Sequence, residues 1–277
     1  LAELGKINKL TIVKSVDFGL YLDGGDYGEI LLPKRYVTPD MVPGSVIEVF
    51  VYLDGEERPI ATTLKPLAQV GDFAYLKVKA VERAGAFLEW GIMKDILVPF
   101  REQRSPMQSG KSYVVYLYVD KLTDRILATQ KPERFFSKNK PPFKPGDAVK
   151  IMVWHPTDLG YKVIVENAWQ GMLFKTDVFK PIRPGEIYTA YVKKLRDDNK
   201  LDLVLEKPGY DKVKDISGSI MENLKSKGGF IPLTDKSDPD LIYKEFGVSK
   251  KVFKQAIGQL YKLRKIELTE KGVRLLN

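Results

Sequence analysis

Residues 60–66 read Ile-Ala-Thr-Thr-Leu-Lys-Pro. Nearly the same phrase returns at 127–132 as Leu-Ala-Thr-Gln-Lys-Pro, and more loosely at 203–208 as Leu-Val-Leu-Glu-Lys-Pro. The same order of features leads up to each phrase. A Gly-bearing turn opens a strand at Gly5, Gly71 and Gly146. A second strand begins beside a Gly at Phe18-Gly19, Ala84-Gly85 and Leu159-Gly160. An apolar triplet follows: Ile30-Leu31-Leu32, Ile96-Leu97-Val98 and Met172-Leu173-Phe174. A Pro or Ser before Gly then opens another β-rich strand at Pro43-Gly44, Ser109-Gly110 and Pro184-Gly185. Self-similarity at a fixed period of about 60 to 65 residues signals repeated modules.

The strands alternate and are rich in β-branched and aromatic residues, as in Tyr113-Val114-Val115-Tyr116-Leu117-Tyr118-Val119. Five short strands per module are too few for an open sheet with two covered faces. Closure into a small barrel buries one face and removes the edges. The sequence therefore predicts barrels over residues 1–69, 70–132 and 145–208. Between the last two, residues 133–144 are basic and hold Pro141, Pro142, Phe135, Phe136 and Phe143. They read as a semi-rigid linker, with a strap packed on a barrel or a nucleic-acid contact both open.

After residue 208 the period changes. Val213, Ile216, Ile220 and Leu224 recur at helical spacing over 211–227. Phe230-Ile231-Pro232-Leu233 is a short extended piece. Asp238-Pro239 starts a second helix by cap and first-turn logic, ending near Gly247. Ser249 caps a third helix running to about Arg264. A hairpin then crosses Glu270-Lys271-Gly272. Residues 209–277 thus follow the order of a winged helix-turn-helix.

Composition narrows the chemistry. The chain has 277 residues, no Cys and one His, His155, with a formal net charge of +9. Disulfides, thiol catalysis and Cys-based metal sites are excluded, and one His cannot pair for a metal. No cofactor and no metal site are expected. No apolar run is long enough to span a bilayer, and Leu1-Ala2-Glu3-Leu4-Gly5-Lys6 does not read as a secretory leader. A cytoplasmic protein without a membrane partner is the expectation. Gly24-Gly25-Asp26-Tyr27-Gly28 lacks the Lys-Ser/Thr of a phosphate-binding loop and reads as a hairpin. The charge is unevenly placed: −3 over 1–69, +2 over 70–130, +4 over 131–144, +1 over 145–208 and +5 over 209–277. Nothing supplies an activated nucleophile with a base and an orienter, so no enzyme is expected.

The modules resemble the S1-type RNA-binding domain, an OB-fold barrel. Phe18-Gly19-Leu20-Tyr21, Glu29-Ile30-Leu31-Leu32, Asp54 and Arg58 carry the likeness in the first. Ala84-Gly85-Ala86-Phe87, Asp95-Ile96-Leu97-Val98, Asp120 or Asp124, and Arg125 carry it in the second. Leu159-Gly160-Tyr161-Lys162, Gly171-Met172-Leu173-Phe174, Asp197 and Lys200 carry it in the third. The first stacking aromatic of that family is Phe18 here but Ala84 and Leu159 in the others. The second is Tyr21 and Phe87, but Lys162 in the third. The whole chain resembles the conserved virulence factor B family of bacterial RNA-binding regulators, with Ser249-Lys250-Lys251-Val252-Phe253-Lys254-Gln255-Ala256-Ile257-Gly258-Gln259-Leu260-Tyr261-Lys262 contributing much of the likeness. That implies a mainly β chain of three tandem five-stranded OB-fold barrels with a C-terminal α+β winged helix, binding single-stranded RNA without catalysis.

The candidate barrel sites are Phe18, Tyr21, Lys34, Arg35, Arg58, Phe87, Arg125, Tyr161 and Phe174. Bases stack on exposed aromatics while cations track phosphates. Barrel core is the competing role for the aromatics, and a Gly-centred bulge is needed to bring Phe18 and Tyr21 to one face. On the third helix, Val252, Phe253, Ala256, Ile257, Leu260 and Leu263 share an inner arc. Lys251, Lys254, Gln255, Gly258, Lys262 and Lys265 share an outer arc without an acid, a candidate polyanion face or simply a solvated one. Two further readings stand beside RNA binding: a scaffold for a ribosome or RNA-decay protein, and a DNA-binding regulator acting through the winged helix.

Overall fold

A computed structural model describes residues 1–178, 180–206 and 211–276, with the side chains of 211–215 outside the description. The Lys207-Pro208 end of the third repeat phrase and the Val213 side chain therefore lie outside the described residues.

Three closed five-stranded barrels come first. Barrel 1 is β1 (Ile7–Val16), β2 (Gly19–Asp23), β3 (Glu29–Pro33), β4 (Val46–Leu53) and β5 (Pro59–Thr62). Barrel 2 is β6 (Phe73–Glu82), β7 (Gly85–Leu88), β8 (Ile96–Pro99), β9 (Ser112–Val119) and β10 (Ile126–Thr129). Barrel 3 is β11 (Ala148–Thr157), β12 (Gly160–Val165), β13 (Trp169–Phe174), β14 (Ile187–Leu195) and β15 (Leu201–Val204). In each, the first strand pairs with the second and fourth, and the third pairs in parallel with the fifth. The 24–28 stretch is the β2–β3 connection, as expected.

Alternation explains the cores. In β1, Leu10 and Ile12 point inward while Lys9, Thr11 and Val13 are exposed. Leu20, Leu22, Ile30, Leu32, Val49 and Val51 complete the fill of barrel 1. A bulge breaks the alternation of the first strand in every barrel, at Ile12/Lys14, Val78/Ala80 and Val153/His155, and barrel 3 has a further one at Val192/Lys194. The first-strand bulge sharpens the bend that lets a long first strand serve two neighbours.

Residues 1–138 form one compact unit. Within it, Phe50 of β4 meets Trp90 edge-on at 5.3 Å between ring centres. The Trp90 indole donates to the Ala68 carbonyl at 2.7 Å.

The 133–144 stretch is not a free linker. Phe135 stacks on Tyr116 at 4.4 Å, and Phe136 on Phe73 at 5.1 Å. Arg134 donates to both carboxylate oxygens of buried Glu102 at 3.1 Å and lies over the Tyr118 ring. This part is a strap on barrel 2. Phe143 instead meets Trp169 of barrel 3 edge-on at 5.3 Å, and the Trp169 indole donates to the Asn139 carbonyl. Paired aromatics bury apolar area that a solvated linker would leave in water.

The last domain has α1 (Asp211–Ser226), β16 (Phe230–Ile231), α2 (Pro239–Phe246), α3 (Lys250–Lys262), β17 (Ile266–Thr269) and β18 (Gly272–Leu275). Asp238 caps α2 by accepting from the Asp240 amide at 2.8 Å, and Gly247 ends it at φ 67°. Ser249 caps α3 by accepting from the Val252 amide. Phe253, Ala256, Ile257 and Leu260 are buried with Ile216, Ile220, Leu224 and Ile242. Leu263 departs from the expected inner arc. It is the C-cap residue, past the last helical turn, and is 58% exposed.

Candidate nucleic-acid interface

The three barrels present corresponding outer faces, which the strand registers align. Tyr21 sits between Lys14 and Leu31 across β1–β2–β3. Phe87 sits between Ala80 and Leu97, and Lys162 between His155 and Met172. The residue before each strand's opening glycine (Phe18, Ala84, Leu159) is exposed in all three.

In barrel 1 this face is aromatic. Phe18 is 56% exposed, and its ring meets that of half-buried Tyr21 edge-on at 6.2 Å. The expected route to this pairing needs correction. The bulge lies in β1, and Phe18 reaches the face from the turn preceding β2. Gly19 makes that turn at φ 156°, where a Cβ would stand 2.2 Å from the Leu32 carbonyl oxygen. The Lys34 amide donates to the Phe18 carbonyl at 2.9 Å and fixes the corner. Lys34 and Arg35 are exposed just beyond β3. Lys14, which the sequence reading did not select, lies 4.8 Å over the Tyr21 ring and pairs with Glu29 at 2.6 Å. Strand alternation through the β1 bulge is the signal that hides it.

Arg58 is committed within its own hairpin. It donates to Asp54 through Nε and Nη2 at 3.0 and 2.8 Å and pairs with Glu56 at 2.8 Å. Burial works to raise the Asp54 pKa, but hydrogen bonds from Arg58 and Glu56 hold it below the ordinary value. Arg58 thus clamps a turn while its side chain stays largely exposed.

In barrel 2, half-buried Phe87 lines a cleft whose opposite wall is the β4–β5 hairpin of barrel 1. Arg125 pairs with Glu57 of that hairpin at 3.2 Å, and Lys94 donates to the Asp54 carbonyl at 2.8 Å.

In barrel 3 the face is cationic. Lys162 lies over the Trp154 ring at 5.6 Å, and Arg196 over the Phe174 ring at 5.7 Å. Arg196 also pairs with Asp202 at 2.6 Å. Phe174 stands opposite Gly160 at the end of β13, with Lys175 following it. Tyr161 does not join this face. It stands opposite fully buried Leu173 and packs against the core, in the place that Leu20 takes in barrel 1.

On α3, Lys251, Lys254, Gln255 and Lys262 are exposed, as is Lys265 in the turn that follows. A Cβ at Gly258 would meet nothing within 4 Å, so the helix surface is open there. The outer arc is not free of acid in space. Lys254 pairs with Asp235, from the loop before α2, at 3.3 Å.

Among the described residues no helix is long and apolar enough to cross a membrane. A family model described as an S1 domain matches residues 4–64, and one described as a CvfB-like winged helix domain matches 218–275. The uncharacterized protein YitL of Bacillus subtilis is 28% identical over 266 residues, covering 93% of this chain and 88% of that protein. Conserved virulence factor B of Staphylococcus haemolyticus is 23% identical, and that of Staphylococcus aureus 24%, each covering 97% of this chain and 95% of the relative. Among solved structures, a multidomain protein with nucleic acid binding domains from Streptococcus pneumoniae is 26% identical. The match covers 99% of this chain and 98% of that one at a TM-score of 0.42. Residues 4–64 therefore match an S1 domain and residues 218–275 a CvfB-like winged helix domain, and along most of its length the chain is similar to the conserved virulence factor B proteins.

Proposed function

We propose that this chain is a non-catalytic single-stranded RNA-binding protein, a cytoplasmic post-transcriptional regulator that grips RNA through several weak modules in series. The observation that carries this reading is the outer face of barrel 1. Two aromatic rings share it, one more than half exposed, Lys14 lies over the Tyr21 ring, and exposed Lys34 and Arg35 follow β3, with the Lys34 amide bonded to the Phe18 carbonyl. That is the combination single strands need: flat apolar surface for unpaired bases and cations for phosphates. Linking such modules turns later contacts into intramolecular events, so individually weak sites sum to a tight one. Fluorescence anisotropy with short U-, A- and C-rich oligoribonucleotides tests it. Binding weakens steeply with salt, and Phe18→Ala with Tyr21→Ala weakens it further while the melting temperature holds. Unchanged affinity in that double variant would remove the barrel 1 face from the site.

The exposed lysines of α3 support a second reading, a duplex DNA regulator. Lysine-only faces contact phosphate rather than reading base edges bidentately. Competition between duplex DNA and oligo-RNA separates the two readings, and RNA is expected to win. Recovery of one stoichiometric protein partner after nuclease treatment would instead favour a scaffold for a ribosome or RNA-decay protein.

A further inference from the structure

We infer that the cleft between barrels 1 and 2 is a pocket for one unstacked nucleobase, selective for guanine. The inference rests on the single-stranded RNA reading and extends it from affinity to base choice. Phe87, Leu97 and Leu127 are among the apolar residues that line the cleft. By register these stand where Tyr21, Leu31 and Ile60 stand on the open face of barrel 1. The same stacking position is thus walled in here, because the β4–β5 hairpin of barrel 1 covers one side. The Arg125–Glu57 pair and the bond from Lys94 to the Asp54 carbonyl hold that wall.

Size limits the occupant. The cleft encloses about 250 Å³, below the roughly 300–1,000 Å³ of clefts that take whole drug-sized ligands. One flat ring system fits, and a run of stacked bases does not. The rim then selects among ring systems. It carries two carboxylates, Glu57 and Asp95, and two cations, Lys94 and Arg125. Glu57 pairs with Arg125 at 3.2 Å and Asp95 with Lys79 at 3.0 Å, which places both carboxylates at the rim as acceptors. Guanine alone among the four bases offers two adjacent N–H donors on its Watson–Crick edge, N1–H and the N2 amine, which match one carboxylate bidentately. Its O6 acceptor suits a lysine or arginine. Uracil offers a single N–H flanked by two carbonyls, which a carboxylate repels.

Competition anisotropy on the full chain tests this, using an oligo-U strand and the same strand carrying one central guanosine, adenosine, cytidine or inosine. One guanosine should tighten binding about tenfold over all-U. Inosine keeps the ring and O6 but lacks the N2 amine, so it should lose most of that gain. Glu57→Gln with Asp95→Asn should shrink the guanosine advantage to within about twofold. Equal affinity for the U and G strands overturns the pocket and leaves the single-strand reading standing. Equal affinity for guanosine and inosine overturns the carboxylate recognition. Binding to none of the strands overturns both readings together.

Discussion

Barrels 1 and 3 share a scaffold and differ on its surface. Each has a bulge at the same point of its first strand. Each opens its second strand with a glycine, φ 156° at Gly19 and 154° at Gly160, pressed against the carbonyl of the third strand. Yet Phe18 and Tyr21 in one become Leu159 and Lys162 in the other. The difference follows from what each position must satisfy. Backbone contact leaves a glycine no alternative, whereas an outward side chain packs against little and can change. At these positions barrel 1 presents two aromatic rings and barrel 3 a leucine and a lysine.

The shared part of the comparison yields the largest expected effect. A Cβ at Gly19 or Gly160 would lie 2.2 or 2.0 Å from a backbone oxygen, which no rotamer change relieves. Gly19→Val and Gly160→Val should each cost about 3 kcal/mol from strain and overpacking combined. Urea denaturation followed by circular dichroism reads this directly. If one is tolerated and the other is not, the two barrels do not depend on the same corner.

The differing part comes next. Stacking is worth about 1–3 kcal/mol per base. Phe18→Ala and Tyr21→Ala together should therefore weaken oligo-RNA binding by about 10- to 100-fold. Leu159→Ala should change it by less than about threefold, since no aromatic ring is lost. The reverse exchange, Leu159→Phe with Lys162→Tyr, should add affinity in barrel 3. If it adds none, the two scaffolds are not interchangeable as platforms.

How far these features could be read beforehand depends on what fixes each one. The barrels were legible because the strand phrases and glycines recur, and because backbone demands write themselves into residue type. The α2 and α3 boundaries were legible for the same reason, through Asp238, Gly247 and Ser249. The exclusion of Tyr161 from the outer face was also within reach, since strand alternation places it with Leu20. The strap was not legible. Phe135 and Phe136 among lysines and prolines suit a solvated linker as well as a stacked one, and only the positions of Tyr116 and Phe73 decide. The ion pairs of Arg58, Arg125 and Lys254 were not legible either, because Glu56, Glu57 and Asp235 lie in loops whose paths alternation does not set.

Barrel 2 sharpens the comparison in another way, since its strap makes part of its surface pH-sensitive. Burial works to raise the Glu102 pKa, but hydrogen bonds from Thr129 and Arg134 and the charge of Arg134 hold it below the ordinary 4.5. A lowered folded pKa means stability that is present above the unfolded value and lost as the pH falls through the folded one. The strap should therefore loosen only in acid, below about pH 4.5. Hydrogen exchange of the 133–136 amides at stepped pH would show it, with barrels 1 and 3 as internal controls. Arg134→Ala should weaken the strap at neutral pH by roughly 1–2 kcal/mol, the guanidinium being half-exposed.

The smallest effect is the most specific to the contrast between stacking and charge. Each phosphate neutralised by a cation contributes about −0.7 to the slope of log affinity against log salt for a single strand. A stacked base contributes almost nothing to that slope. Lys162→Ala in barrel 3 should then flatten the slope by about 0.7 while costing little affinity at high salt. Tyr21→Ala in barrel 1 should lower affinity equally at every salt concentration and leave the slope alone. Anisotropy titrations at four or five salt concentrations would separate the two variants. If both change only the intercept, Lys162 contacts no phosphate, and barrel 3 owes its surface to the Trp154 and Phe174 contacts of its own fold.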